Sequence, residues 1–585
     1  MDRLGGSFFI KEMTMNKKSY SILAVAIAGS MSLAACGGGS SDDKGSSSEG
    51  GGKGGTLYYL SKRPAEHLDP QRMYIGRDIA DMGRLTYRSL VQMPVTEDAA
   101  KADKPVADLA TDTGKMSDGG KKWSFTLKDG VKWQDGKDIT CDDLKYGLSR
   151  SFATDVITGG PNYALGFLDV PQKDGLPVYN GPYKKAGQAD FDKAVTCDGK
   201  TITYKFNKAW PDFNLAVASL RAFDPYRKDQ DKGDKSNYAV FANGPYKLQG
   251  TWQKGKGGTF VRNENYDAKT DGVRKALPDK IVFQEGLTNE VINQRLIADS
   301  GNDKNAVTDR AVPPSMYGQV TGKIADRSTN PQSPYVDYLV PNFKKMTNPK
   351  VRQALLAATS QDAWIKAGGG DKAYTNAYSI INPALTTAYA KNPAFKYGTG
   401  GNIEEAKKLL KEAGQPNPSI KFTYSGGTPT SQKQAAALKD TWEKAGFKVT
   451  LNELTDTYYD VIQNPNADGD VFWGGWGADW PSASTVIPAL FDSRINLTAK
   501  SNGQDYGNYK SDEVNKMIDE AAKATSVDAA GEIYKKIDQK LGEDVAYIPL
   551  ESQKFYLLRG SNVTNYIDNP ATSMYPDLGS VGVKK

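Results

Sequence analysis

The stretch "WSFTLKDGVKWQDGKDITCDDLKYGLSR", residues 123–150, contains a clear strand pattern followed by a turn signal. Trp123, Phe125 and Leu127 alternate with polar residues, which predicts a strand with one buried face. An Asp-Gly turn signal follows, so we expect the chain to reverse there into a hairpin. A strand of this kind needs further strands or helices to cover its apolar face.

Other segments supply them. "TITYKF" (201–206) and "YKLQGTW" (246–252) predict two more strands. "IKFTYS" (420–425), a helical segment and "FKVTLNEL" (447–454) predict a pair of parallel strands with a helix across them. Asn402 is placed to cap a second helix. The fold class predicted from these patterns is mixed α/β.

Length and charge limit the class of protein. A chain of 585 residues should divide into about two to four domains or lobes. Its 75 Lys and Arg residues are interleaved with 69 Asp and Glu residues, giving a net charge of +6. Binding to nucleic acid would favour clustered basic residues, so we expect no nucleic-acid partner.

The amino-terminal segment predicts export. Residues 1–35 contain Lys17 and Lys18, followed by an apolar run and small residues, which is the layout of a signal peptide, and Met15 is a second candidate start. The last residues before and including Cys36 resemble the bacterial lipobox, so we expect a lipid on that cysteine. A short spanning helix is the alternative, but the apolar run is short for one. Residues 36–54 are rich in Gly and Ser and predict a flexible tether.

Few residues are available for metal or nucleophile chemistry. Only Cys141 and Cys197 remain after Cys36, and in an exported protein they predict either a disulfide or two buried thiols. The single histidine, His67, disfavours a zinc site and a Ser-His or Cys-His dyad. We expect no metal, no cofactor and no catalysis. A hydrolase that uses a pair of carboxylates stays an alternative, because the chain has many acidic residues that could form such a pair.

The segment "FWGGWGADWP", residues 472–481, concentrates aromatic side chains around one acid. Trp473, Trp476 and Trp480 surround Asp479 in the sequence. Such a cluster is either core packing on a strand or the wall of a ligand cleft, where tryptophan faces attract cations and exclude water.

The order of several motifs identifies a family. The chain resembles the extracellular solute-binding proteins of bacterial peptide importers, a class that also contains some nickel-chelate binders. The resemblance rests on the opening 123–150 stretch, on "GGTLYYL" with "HLDP", and on "ANGPYKL", "VRNENYD", "NPKVRQALLAAT", "EEAKKLLKEAG" and "DVFWGGWGADWP". These motifs follow the order of the family and cover the chain from about residue 55 to its end.

The resemblance implies a type II periplasmic-binding-protein-like fold, with two lobes joined by a hinge around a ligand cleft. It places the main domain of the first lobe at 55–90, 215–332 and 551–585, an inserted domain at 91–214, and the second lobe at 333–550. Both cysteines of the candidate disulfide then fall in the inserted domain, which makes their pairing easier.

The resemblance also implies ligand-binding residues. Asp479 lies where peptide-binding relatives use an aspartate to bind the α-amino group of the ligand, with Trp476, Trp480 and Trp473 around it. Some relatives have an arginine at the position of Trp473, where it meets a ligand carboxylate. That departure means that the other end of the ligand is recognised differently here.

We therefore predict a lipid-anchored, extracytoplasmic receptor that captures an oligopeptide or similar solute and delivers it to an ABC permease. We expect a monomer held at the cell membrane by its lipid. The alternatives are a receptor for a carbohydrate or other non-peptide solute, a surface-anchored hydrolase, and a purely structural surface protein.

Overall fold

The computed structural model of the chain describes residues 52–173, 176–455 and 457–584. The predicted signal peptide, Cys36 and most of the predicted tether lie outside these residues. Within the described residues, none of the helices is long and apolar enough to cross a membrane.

Three β-sheets organise the described chain, and we call them sheets A, B and C. Sheet A consists, in spatial order, of Tyr246–Gln253, Gly257–Arg262, Lys280–Gln284, Thr56–Leu60 and Ala306–Thr308. Sheet B consists of Lys115–Ser117, Lys122–Thr126, Thr201–Lys205 and Val195–Asp198. Sheet C consists of Tyr374–Asn376, Ile548–Gln553, Val336–Pro341, Val471–Trp476, Ser419–Ser425 and Lys448–Leu454. The fold is mixed α/β, as the sequence predicts.

Helices cover these sheets. Those of ten residues or more are Gly76–Leu85, Cys141–Arg150, Asn289–Ala298, Pro349–Ala358, Ile403–Glu412, Pro429–Lys444, Asp512–Ala521 and Val527–Glu543. Shorter helices are Ala99–Ala102, Tyr163–Phe167, Gln188–Ala194, Phe213–Ser219, Gln361–Gly368, Tyr458–Ile462, Ile487–Phe491 and Ser493–Asn496.

Short 3₁₀ helices and two-stranded ribbons are also present. The ribbons pair Val91–Gln92 with Val106–Ala107, Gln172–Lys173 with Leu176–Pro177, Ser328–Thr329 with Leu557–Leu558, and Val563–Thr564 with Gly582–Val583.

The molecule has two lobes, one with sheets A and B and the other with sheet C. Two segments connect them and run antiparallel to each other. Ser333 N–H donates to the Gln553 carbonyl at 2.8 Å, and Phe555 N–H donates to the Pro331 carbonyl at 2.9 Å. Connecting segments of this kind are where a hinge between two lobes is expected. The domain boundaries at residues 90, 214, 332 and 550 stay a prediction.

Local sequence signals explain the elements of sheet C. The Asn402 side chain accepts a hydrogen bond from Glu405 N–H and begins the helix Ile403–Glu412 as predicted. Ser419–Ser425 and Lys448–Leu454 pair in parallel, with the helix Pro429–Lys444 between them in the chain, which confirms the predicted βαβ unit.

The predicted hairpin at 123–133 is wrong, although its first strand is confirmed. Lys122–Thr126 pairs with Thr201–Lys205 and with Lys115–Ser117, not with the residues after the turn. Lys132 instead bridges Asp138. The alternating pattern identifies a strand with one buried face, but it does not specify the pairing partner.

Candidate functional site

The "FWGGWGADWP" segment leaves sheet C and reaches the other lobe. Val471–Trp476 pairs along its whole length with Val336–Pro341, which fixes the direction in which the chain leaves the sheet. At Gly477 the backbone lies against Tyr335, so closely that a Cβ there would be 2.6 Å from the ring. The absence of a side chain at Gly477 therefore allows the loop that contains Asp479 to take this path.

Asp479 lies between the lobes. Its Oδ2 accepts a hydrogen bond from the Tyr74 hydroxyl at 2.9 Å and another from the Tyr163 hydroxyl. Its backbone N–H donates to Thr485 Oγ1 at 3.1 Å, which holds the loop in place. Its other oxygen, Oδ1, accepts no hydrogen bond from the described residues and so retains its capacity to accept one from a ligand.

Burial raises the pKa of Asp479, while the hydroxyls of Tyr163 and Tyr74 act in the opposite direction by hydrogen bonding to the carboxylate. Burial, with the nearby Asp479 charge, also raises the pKa of Tyr74 and of Tyr163 well above that of a free tyrosine, so both hydroxyls stay protonated as donors. A poorly solvated carboxylate of this kind is stabilised by a cation.

Trp480 inserts into the lobe of sheets A and B. Its side chain is only 3% exposed and joins the hydrophobic core that covers sheet B. The indole Nε1–H donates to Asp212 Oδ2 at 2.8 Å, and the ring packs edge-on against Tyr163 at 4.7 Å between centroids. The Ser484 hydroxyl donates to the same Asp212 oxygen at 2.7 Å. These contacts hold the two lobes together in a closed arrangement.

Trp476 and Trp473 lie elsewhere. Trp476 Nε1–H donates to the Thr485 carbonyl at 2.9 Å, which stabilises the loop from within its own lobe. The Trp473 carbonyl accepts from the Tyr458 hydroxyl, and the Trp473 ring packs with both cores of sheet C. Both side chains are half-buried. Their packing resembles the core alternative more than the cleft alternative.

A cavity of about 420 Å³ opens beside Asp479 and is enclosed by both lobes. Its walls include Tyr74, Met93, Asp103, Leu385, Asp479 and Trp480. Trp473 and Trp476 are not among the described residues that line it. The volume is within the range of about 300–1,000 Å³ that is usual for small-ligand sites.

The two arginines that line the cavity are buried and already paired. Arg84 lies 3.1 Å from Asp577 and donates to the Met93 carbonyl at 2.8 Å. Arg221 lies 3.4 Å from Asp224, and its side chain is 1% exposed. Burial lowers the pKa of both guanidinium groups. Arg84 Nε and Arg221 Nε and Nη1 donate no hydrogen bond within the described residues, but these atoms are buried and the charge of each guanidinium is balanced by its acid.

Four residues of the site could not be predicted from the sequence. Tyr74 and Tyr163 lie 405 and 316 residues from Asp479 in the chain, in loops or short helices without a periodic pattern. Asp103 and Asp212 are two acids among 69 Asp and Glu residues. No local signal marks any of the four, because their role depends on how the lobes meet.

The two cysteines and the histidine that the sequence singled out lie outside the described walls of the cavity that Asp479 lines. Cys141 and Cys197 are joined in a disulfide that links the helix Cys141–Arg150 to sheet B. His67 lies 3.1 Å from Asn237 through Nδ1 and is absent from the described walls of the cavity. Among the described residues, no group of three His, Cys, Asp or Glu side chains is placed to hold a metal ion.

Comparison with known proteins gives consistent matches. A family model described as bacterial extracellular solute-binding proteins, family 5, middle, matches residues 104–497, more than half of the chain. The periplasmic oligopeptide-binding protein OppA of Salmonella typhimurium is 26% identical over 452 residues, covering 74% of this chain and 76% of OppA.

Solved structures agree in fold. The clavulanic acid biosynthesis oligopeptide binding protein 2 has a TM-score of 0.81 and 26% identity, over 91% of this chain and 96% of that one. The ABC transporter-associated periplasmic binding protein DppA of Helicobacter pylori, in complex with the peptide STSA, has a TM-score of 0.68 and 18% identity, over 91% of this chain and 99% of that one.

Proposed function

This chain belongs to the bacterial extracellular solute-binding proteins of family 5, and from that premise we propose that it captures an oligopeptide or similar amine-bearing solute for an ABC permease. The observation that carries the proposal is the Asp479 carboxylate, which lies on the wall of an enclosed cavity between the lobes. OppA, a relative along most of its length, is named for oligopeptide binding.

Asp479 binds the ligand ammonium in this proposal. Oδ2 is held by two tyrosine hydroxyls, which leaves Oδ1 for the ligand. Both tyrosines belong to the lobe opposite Asp479, so the carboxylate is oriented only when the lobes are closed. A charge-assisted hydrogen bond to an ammonium contributes about 1.5–3 kcal/mol. The ligand thus binds the closed form better than the open one.

That difference in affinity drives the conformational change. A ligand shifts an equilibrium between open and closed lobes only by its differential affinity for the two. In this proposal the lobes rotate about the segments joined at Ser333 and Gln553, and opening breaks contacts between the lobes such as Trp480 with Asp212. The closed form, with its ligand enclosed, is then the one that docks on the permease.

The cavity walls suit a peptide of limited length. Apolar side chains such as Met93 and Leu385 give the cavity wall surface that can pack against apolar groups of a ligand. A carbohydrate receptor would be favoured by tryptophan faces on the wall, but only Trp480 of the cluster lines the cavity, and its indole is committed to Asp212. His67 gives no support to the hydrolase alternative, because it contacts Asn237 and is absent from the described walls of the cavity.

Anchoring rests on the sequence alone. In the proposal, export removes residues 1–35, a lipid on Cys36 inserts into the membrane, and residues 36–54 tether the monomeric receptor outside the cytoplasm. Each buried acyl CH₂ contributes about 0.8 kcal/mol, so a multi-chain lipid anchors stably. Radiolabelled palmitate incorporated by wild type but not by Cys36→Ala would support this; equal labelling would contradict it.

A binding assay tests the receptor function. Thermal unfolding of the purified body is measured with pools of di- to pentapeptides, sugars and metal chelates. Ligand at 100 times its Kd stabilises the folded protein by about 2.7 kcal/mol, which is easily detected. Stabilisation by peptides supports the proposal. Stabilisation by sugars or chelates alone, or hydrolysis of the peptides, contradicts it.

A further inference from the structure

A second acidic side chain lines the cavity. Asp103 follows the helix Ala99–Ala102 as its C-terminal cap and lines the same cavity as Asp479. Its side chain is only 9% exposed. Thr386, from the opposite lobe, donates its hydroxyl to Asp103 Oδ2 at 3.2 Å. Like Asp479, Asp103 is therefore positioned by a hydroxyl from the other lobe when the lobes close.

The other oxygen of Asp103 is poorly satisfied. Oδ1 is buried and accepts no hydrogen bond from the described residues. The Lys104 ammonium lies 3.4 Å from it, but the Lys104 side chain is 65% exposed. Ion pairs with such exposed side chains are weak and are screened by salt. A buried carboxylate oxygen without a hydrogen bond is costly, and a ligand donor would remove that cost.

The charges around the cavity determine which donor fits. The lining cations, Arg84 and Arg221, are no more than 3% exposed and lie beside Asp577 and Asp224. Each lining arginine is balanced by a buried acid, whereas Asp103 and Asp479 are not balanced by a buried cation within the described residues. The uncompensated charge on the cavity wall is therefore negative and favours a ligand that is positively charged at two points.

We propose that Asp103 is a specificity-determining residue that binds a second cationic group of the ligand. This inference rests on the proposed function, in which Asp479 binds the first. The ligand class is then a peptide with a free amino terminus and a lysine or arginine side chain. The side chain takes the place of the exposed Lys104 ammonium beside Asp103.

Matched peptide pairs test the inference. Di-, tri- and tetrapeptides of alanine with a free amino terminus are made in pairs that contain either lysine or norleucine at one position, so that only the ammonium differs. Isothermal titration gives the Kd of each for wild type, Asp103→Asn and Asp98→Asn. Asn keeps the size of Asp and can still accept the Thr386 hydrogen bond.

Asp98→Asn is the matched control. Asp98 begins the same short helix by accepting a hydrogen bond from Ala100 N–H, and Asn caps helices equally well. The substitution removes the same charge from an exposed position outside the cavity walls. Comparison with it separates direct contact from a general change in charge.

We expect wild type and Asp98→Asn to bind the best lysine peptide about tenfold to a hundredfold more tightly than its norleucine partner, the range of a charge-assisted hydrogen bond. Asp103→Asn should reduce that preference to less than about threefold and bind the norleucine peptide as wild type does. Equal binding of lysine and norleucine peptides by wild type, or a preference retained in Asp103→Asn, would overturn the role of Asp103 and leave the receptor function intact. Failure of wild type to bind any peptide would contradict the receptor function itself, and the inference with it.

Discussion

Replacing Trp480 with alanine should weaken closure of the lobes and, through it, ligand affinity. The ring is 3% exposed within the core of the opposite lobe, so opening must bring most of it into water. A tryptophan buries about 150–250 Å², and at about 25 cal/mol per Å² this contributes about 4–6 kcal/mol to closure. Alanine keeps a small part of that area, and the ring keeps some contacts with its own lobe after opening. We therefore expect a loss of about 3 kcal/mol, which corresponds to about a hundredfold increase in Kd.

Two measurements check this value. Isothermal titration gives the Kd of the best peptide, and small-angle X-ray scattering gives the radius of gyration with and without it. Wild type should become more compact with peptide, and Trp480→Ala should need about a hundredfold more peptide to do so. Trp480→Phe, which keeps an aromatic ring but loses the N–H bonded to Asp212, should lie between them.

If Trp480→Ala binds the peptide and becomes compact as wild type does, then burial of Trp480 does not stabilise closure of the lobes. A lower melting temperature alone would not support it, because loss of a buried tryptophan destabilises many folds. Peptide titrations are therefore made at a temperature where circular dichroism shows the variant to be folded.

Three further predictions concern stability and pH. Replacing both Cys141 and Cys197 with serine opens a cross-link over a sequence separation of 56, so urea denaturation should show a loss of about 4 kcal/mol, and an unchanged midpoint would contradict it. Burial raises the pKa of Asp337 to about 6 and that of its neighbour Glu551 as well, so the folded state holds more protons than the unfolded one and stability falls as pH rises through these values. Glu551→Gln should reduce that fall between pH 5 and pH 8, and a pH dependence identical to wild type would show that the pair does not cause it. Burial also raises the pKa of Asp479. As the pH is lowered, Asp479 should therefore become protonated, and affinity for an amine should fall, at a higher pH than for an ordinary aspartate. A constant Kd from pH 7 to pH 4.5 would argue against an ionised Asp479 as the ligand partner.

Local signals in the sequence predict local structure well here. Asn402 caps its helix, and the segments around 420–425 and 447–454 form the expected parallel pair, because capping and short βαβ connections depend on neighbouring residues. The hairpin expected after Trp123 does not form, because the partner strand Thr201–Lys205 comes much later in the chain.

The residues of the site likewise differ in how far the sequence predicts them. Asp479 could be selected from the sequence because it stands within a recognisable family motif. Trp480 was predicted as a ligand-binding residue, but its contacts with Asp212 and Tyr163 could not be predicted, since they cross between lobes. Asp103 could not be found at all, because only the closed arrangement brings it to the cavity that Asp479 lines.

The most direct test of the account is to change the ligand amine rather than the protein. The best-binding peptide is compared by isothermal titration with its N-acetylated form, which has no ammonium but nearly the same shape. The account predicts that acetylation weakens binding to wild type about tenfold to a hundredfold, and that Asp479→Asn loses most of this discrimination. Equal affinity of wild type for the free and acetylated peptides would contradict the claim that Asp479 binds the amino group of the solute.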